Sequence, residues 1–216
     1  MGTRTTTARR GVGRPGDGGD LRAVILAAAL RQLEATGSPD RVTIAAIVDE
    51  AGCTPPSLYH YWPKRELLLL EAGARGWAQF RAGQSDAVAD RDDPVERLRL
   101  RGRAYLDFAL TKPALFRVLF LEPAAANPAN PTEPAEPGEA LQELLSDVTA
   151  AMSTGQLRPA DPFTTGLALW SAVHGVAALW AANPNLPADL AQRVGDLAQD
   201  AVLIGLAAPE RPELVR

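Results

Sequence analysis

Between Thr43 and Glu66 the chain carries two short apolar-striped segments with little more than a glycine between them, and few folds accommodate that pattern. The first, TIAAIVDEAG from Thr43, puts Ile44, Ile47, Val48 and Ala51 on one face at helical spacing and ends on Gly52. The second, PPSLYHYW from Pro55, is broken by Pro63. Gly52 supplies the left-handed backbone that a tight turn between helices requires. Thr54 stands where a helix cap would accept a backbone N–H, and Pro55 suits the first helical position, whose N–H has no partner in any case. Pro56 has no N–H either, so the expected cap bond comes from Ser57. Ile47, Ala51 and Leu58 are expected to face inward and hold the pair together. Ser57, Tyr59, His60 and Tyr61 then lie outward, which is the layout of a helix-turn-helix.

Nothing in the rest of the sequence asks for a sheet. Among 216 residues there are 39 Ala and 29 Leu but only 4 Ile and 13 Val, and strands prefer β-branched side chains. The expected class is all-α, with eight or nine helices. A first helix runs to about Thr36, with Asp20 as its cap, Val24, Ile25, Ala28, Ala29 and Leu33 on its stripe and Gly37 at its end. A long helix follows Pro63, another starts at Asp92-Asp93-Pro94, and Pro113 opens ALFRVLFL. Residues 122–137 carry five prolines and no large apolar side chain, so they read as a surface loop. Helical patterns resume over 139–157, about 161–182 and 188–207. The organisation expected is a flexible basic arm over 1–19, a helix-turn-helix unit over 20–66, and a helical unit over 67–216 interrupted by the 122–137 loop.

Net charge is −4, so the chain as a whole is no polycation. Residues 1–72 hold nine basic and eight acidic residues, and the remainder thirteen and eighteen. A nucleic-acid surface must therefore come from local arrangement in the first part. The single cysteine, Cys53, fits a reducing cytoplasm. The first 19 residues lack the apolar block of a signal peptide, and their Arg4, Arg9, Arg10 and Arg14 suit an arm that lies along phosphates. Pro162 to Ala188 contains no charged residue, yet its Ala, Gly, Thr, Ser and His174 make a poor membrane span and a good buried helix.

Over residues 21 to 70 the sequence resembles the TetR (tetracycline-repressor) family of bacterial transcription regulators. The likeness rests on Ile25, Ala28, Ala29, Gly37, Thr43, Ile47, Ala51-Gly52 and SLYHYWPKRELLL from Ser57. A second likeness, in LFRVLFL and in LWSAVHGVAALW, is to a subgroup with a Trp-x-x-x-His-Gly signature, here Trp170, His174 and Gly175. The resemblance implies an all-helical fold, a DNA-binding N-terminal unit, a C-terminal unit for a small-molecule effector, and a homodimer.

Carried over residue by residue, it places Pro55, Pro56, Ser57 and His60 toward base edges or thymine methyls, with Thr54 at the start of the same helix. Tyr59, Tyr61 and Arg65 would touch phosphates, Thr43 would offer its hydroxyl or a helix N-terminus to another, and Lys64 would add positive charge. This sequence departs from the family where Ala45 replaces a polar or basic reader. The recognition helix also has no Arg or Lys, so bidentate guanine readout is not open to it.

By the same resemblance Tyr105, Phe108, Phe116, Phe120, Trp170 and His174 are the expected ligand contacts. The expected dimer interface is the last two helices, through Leu167, Trp170, Val173, Ala177, Leu190, Val194, Leu197, Ala201 and Ile204, which implies a palindromic operator. No cofactor, metal or membrane is expected. A repressor is the leading reading. The competing class, an all-helical enzyme or carrier, lacks a nucleophile triad, a phosphate-binding glycine loop and a metal cluster in the sequence.

Overall fold

Thr43 and Gly52 close the first short helix from both ends. The Thr43 hydroxyl accepts the N–H of Ala46 at 3.1 Å, and Gly52 adopts φ 64°, ψ 33°, a left-handed stop that non-glycine residues rarely afford. This helix, α2 (Ile44–Ala51), follows α1 (Gly18–Thr36) and a single 3-10 turn, and precedes α3 (Pro55–Tyr61). The computed structural model describes residues 18–121, 138–183 and 185–208. The expected basic arm, apart from its last residues, and the 122–137 loop therefore lie outside the described residues. α4 (Arg65–Asp86) and α5 (Pro94–Thr111) come next, then one turn of α6 (Pro113–Phe116) leading into a π-helical turn over Arg117–Leu121. α7 (Glu139–Ser153), α8 (Pro162–Ala182) and α9 (Ala188–Leu206) complete nine α-helices among the described residues. Among the described residues the only β pairing is an isolated bridge between Leu157 and Ala207.

Two boundaries differ from the sequence reading. α1 takes in Asp20 instead of starting behind it. The stretch from Pro113 is not one helix, because after Phe116 the winding widens to the π form. A π turn is a usual place for neighbouring side chains to be re-aimed, and here it sends Val118 and Phe120 into different cores.

The N-terminal unit packs α1, α2, α3 and the first half of α4 around Ile25, Ala28, Leu33, Ile47, Leu58, Leu68 and Leu69, all essentially inaccessible to water. α1 is tied to α2 at the surface as well. Arg31 and Gln32 both donate to the Glu50 carboxylate, Gln32 at 2.6 Å, and together they hold that acid below its usual range.

The remaining helices enclose two further cores, one aromatic and centred on Phe80, Tyr105, Phe116 and Trp180, the other built from Leu98, Val148, Leu169 and Leu203. α5 and α9 cross closely because of two glycines. A Cβ on Gly195 would stand 2.0 Å from Leu106 Cδ1, and one on Gly102 2.4 Å from Gln199 Oε1. α8 is long and apolar enough to cross a membrane by length and composition alone. It is packed on α5, α7 and α9, with Leu169, Val173, Ala177 and Trp180 buried.

Candidate DNA-reading helix and effector cavity

The outer side of α3 is what the turn exists to present. Leu58 is wholly buried against α1 and α2, and the rotation this fixes leaves Pro55, Pro56, Tyr59 and His60 exposed, with Ser57 and Tyr61 half-buried. His60 and Tyr61 meet edge to face at 5.2 Å, and Tyr61 leans on Trp62 at 5.8 Å. Thr43, Ala45, Thr54 and Lys64 are also exposed. The predicted DNA-facing residues other than Arg65 are thus exposed or half-buried at the surface of the unit.

Two members of the set behave differently from the sequence reading. Thr54 is the N-cap of α3 by position, but its hydroxyl accepts no backbone N–H. It pairs with the Ser57 hydroxyl at 2.9 Å, since Pro55 and Pro56 bring no N–H to the first turn. Arg65 turns inward. Its Nε–H donates to the Val42 carbonyl at 2.9 Å and a terminal N–H donates to the Pro39 carbonyl, so the guanidinium clamps the loop before α2 to the start of α4.

The sequence reading also missed the anchor of this end. Trp62 Nε1–H and Arg22 both donate to Glu71 Oε2, at 2.8 and 2.7 Å, with the Arg22 guanidinium 4.8 Å above the Trp62 ring.

Beyond Ala72 the same helix, α4, runs along a cavity of about 520 Å³, within the range of sites for small molecules. Trp77, Ala78, Phe120, Leu144, Trp170 and Val173 give it an apolar wall, and Gln84, Arg101 and Gln199 supply polar groups. Of the six expected ligand contacts, Phe120 and Trp170 line it. Tyr105, Phe108, Phe116 and His174 do not, because they are consumed in a cluster of aromatic contacts beside it. Phe80 meets Tyr105 edge to face at 5.5 Å and Phe108 at 5.2 Å, and Phe116 stacks on Phe120 at 5.1 Å.

Within that cluster the Tyr105 hydroxyl and His174 Nδ1 lie 2.7 Å apart. Burial pushes the Tyr105 phenol well above its usual range and pushes His174 down. The phenol therefore stays protonated, and a neutral imidazole with its proton on Nε2 can accept a hydrogen bond from it at Nδ1.

The polar wall was not foreseen. Its signal is the position of each polar residue on an apolar stripe: Arg101 between Leu98 and Tyr105, and Gln199 between Gly195 and Leu203.

Of the residues expected at the dimer interface, several lie inside the chain. Val173 and Ala177 are buried within the chain, and Trp170, Leu190 and Val194 are partly buried against the aromatic core. The exposed apolar stripe runs instead through Ala168, Gly175 and Leu179 of α8 and Leu197, Ala201 and Ile204 of α9. Leu197 is 71% exposed and Ile204 73%.

A helix-turn-helix whose supporting helix continues into a cavity-bearing helical unit defines a two-part DNA-binding regulator. Residues 25–72 match the family model described as bacterial regulatory proteins, tetR family, and residues 98–202 match that described as the tetracyclin repressor-like C-terminal domain. The chain belongs to the TetR family of transcription regulators, whose members bind DNA and small-molecule effectors and dimerise.

Solved structures agree on the fold. A protein of unknown function from Rhodococcus sp. RHA1 gives a TM-score of 0.73 at 25% identity, over 90% of this chain and 100% of that one. A TetR family transcription regulator from Marinobacter aquaeolei VT8 gives 0.65 at 20% identity, over 87% and 96%. The fatty acid degradation regulator FadR from Bacillus halodurans gives 0.67 at 16%, over 85% and 97%. No curated protein matches the sequence.

Proposed function

We propose that the chain is a repressor that acts in the cytoplasm as a homodimer on a palindromic operator and is released by a small, mainly apolar effector. The observation that carries this reading is that α4 belongs to both parts. Leu68, Leu69 and Ala72 sit in the N-terminal core, and Trp77, Ala78 and Gln84 line the cavity. A ligand that pushes on the second group moves the seat of the reading helix. A coupling of about 1 to 3 kcal/mol changes operator affinity roughly five- to 150-fold.

The partner in the dimer is a second copy seated on the stripe through Leu179, Leu197 and Ile204. Gly175 and Gly205 support this seat, since neither has any atom near the place of a Cβ and both allow close helix approach. Two α3 helices related by a two-fold axis then reach successive major grooves about one helical turn apart. Base recognition uses Pro55, Pro56, Ser57 and His60 together with DNA shape, because α3 carries no guanidinium. Tyr59, Tyr61, Thr43 and Lys64 hold the phosphates.

The test is a gel shift on the DNA upstream of the protein's own gene, with scrambled DNA of equal length as competitor. Selective retention of the upstream fragment supports the reading, and equal affinity for both overturns it.

A further inference from the structure

The cavity wall carries charge but has none to spare. Arg101 is 5% exposed; its Nε–H donates to Oδ2 of buried Asp147 at 2.6 Å and its Nη1–H to Oε2 of Glu143 at 2.8 Å. Asp147 receives a second guanidinium from Arg97, whose Nε–H reaches Oδ1 at 2.7 Å. Two guanidiniums and two carboxylates sum to zero. At the other charged place in the lining Arg81 is paired with Glu139. What remains of the lining among the described residues is uncharged. The amides of Gln84 and Gln199 are buried in the wall and donate to the carbonyls of Arg101 and Leu98, at 3.2 and 2.7 Å.

A carboxylate or phosphate entering this space gives up its hydration and finds every nearby cation already engaged by an acid of this chain. An ammonium finds the acids engaged in the same way. Buried charge without a partner is strongly disfavoured, whereas an ester, lactone or hydroxyl needs only a hydrogen bond or two. The amides can supply that, and the apolar wall accepts the rest.

We infer that the effector is an uncharged, predominantly apolar molecule with one or two hydrogen-bonding oxygens, and that the cavity rejects free carboxylates and amines of the same chain length. This rests on the cavity being the effector site, as proposed above.

Isothermal calorimetry on the full chain at about pH 8, where the carboxylate probe is ionised, tests it with four probes of matched length: methyl decanoate, 1-decanol, decanoate and decylamine. The ester and the alcohol are expected to bind at least roughly tenfold more tightly than the acid and the amine. Glu143→Gln keeps an oxygen for Arg101 and for Ser85 but leaves one positive charge unbalanced in the wall. It is expected to narrow the gap between decanoate and its ester by roughly tenfold. Ala78→Phe fills the space and is expected to abolish binding of the ester.

If decanoate binds the unaltered chain as tightly as its ester, the charge class is overturned while the cavity stands. If no probe binds, or if Ala78→Phe binds the ester undiminished, the cavity itself is overturned as the effector site.

Discussion

Val118 and Phe120 stand two residues apart on the π-helical turn and face different cores. Val118, 1% exposed, is seated in the N-terminal unit, while Phe120 stacks on Phe116 and lines the cavity. The turn is thus a second bridge between the two parts, beside α4. Removing the two methyls of Val118 loosens it at the N-terminal end. Val118→Ala is expected to lower unfolding stability by about 1 to 2 kcal/mol. Denaturant unfolding followed by tryptophan fluorescence checks this, and an unchanged midpoint would mean that the turn is not seated as described.

Arg65 was read from the sequence as a phosphate contact, but two of its five N–H donors are given to the carbonyls of Pro39 and Val42. The two placements make opposite predictions. With the guanidinium holding the loop, Arg65→Ala is expected to cost about 1 to 3 kcal/mol of stability and to leave the salt dependence of DNA binding as it was. Lys64→Ala, at an exposed site with no ion pair among the described residues, is expected to keep the fold and to reduce the slope of log K against log salt by about one. Operator binding measured at several salt concentrations, next to a urea curve for each variant, separates them.

The fold was legible where the signals are local. Thr43, Gly52, Pro55 and Asp93-Pro94 act within one turn of themselves, and each closes or opens the helix it was expected to. The apolar stripes likewise gave the N-terminal core. The cavity was only half legible, because which of several aromatic residues faces a space depends on rotations of a few tens of degrees that only packing decides. Phe116 and Phe120 lie on one face, yet only the second reaches the cavity, and Trp170 reaches it while His174, one turn on, does not. Gln84, Arg101 and Gln199 resemble ordinary surface residues until α5 packs closely enough against α4, α7 and α9 to bury them. The outer stripe was partly legible: Leu197, Ala201 and Ile204 were expected on it, but the choice of α8 residues pointed to the inner side of that helix.

His174 gives the protein a stability that depends on pH in a definite direction. Burial holds its imidazole below the ordinary value of 6.5, and the neutral ring accepts the Tyr105 hydroxyl. A group depressed in the folded chain takes up its proton more readily when unfolded. Its contribution is therefore present above about 6.5 and lost as pH falls through the lower folded value. His174→Gln keeps an acceptor for Tyr105 but cannot titrate. Between about pH 7 and pH 5 the melting temperature of the unaltered chain is expected to fall further than that of the variant, and parallel curves would count against the Tyr105–His174 arrangement.

The proposed dimer gives the sharpest separation between fold and function. Leu197 and Ile204 lie on the outer side of α9, seven residues apart and therefore two turns along one stripe, with most of their surface exposed. Within one chain they contribute almost nothing to the core, so Leu197→Glu with Ile204→Glu is expected to leave the helical content nearly unchanged. In the dimer the same pair would bring four carboxylates into an apolar contact, a cost far above what such an interface tolerates. Sedimentation should show the variant as a monomer. Operator affinity should then fall by about a hundredfold or more, because one reading helix loses the gain in effective concentration that its linked twin provides. A variant that stays dimeric places the interface elsewhere. One that becomes monomeric yet binds the operator as before removes the two-fold arrangement on which the palindrome depends.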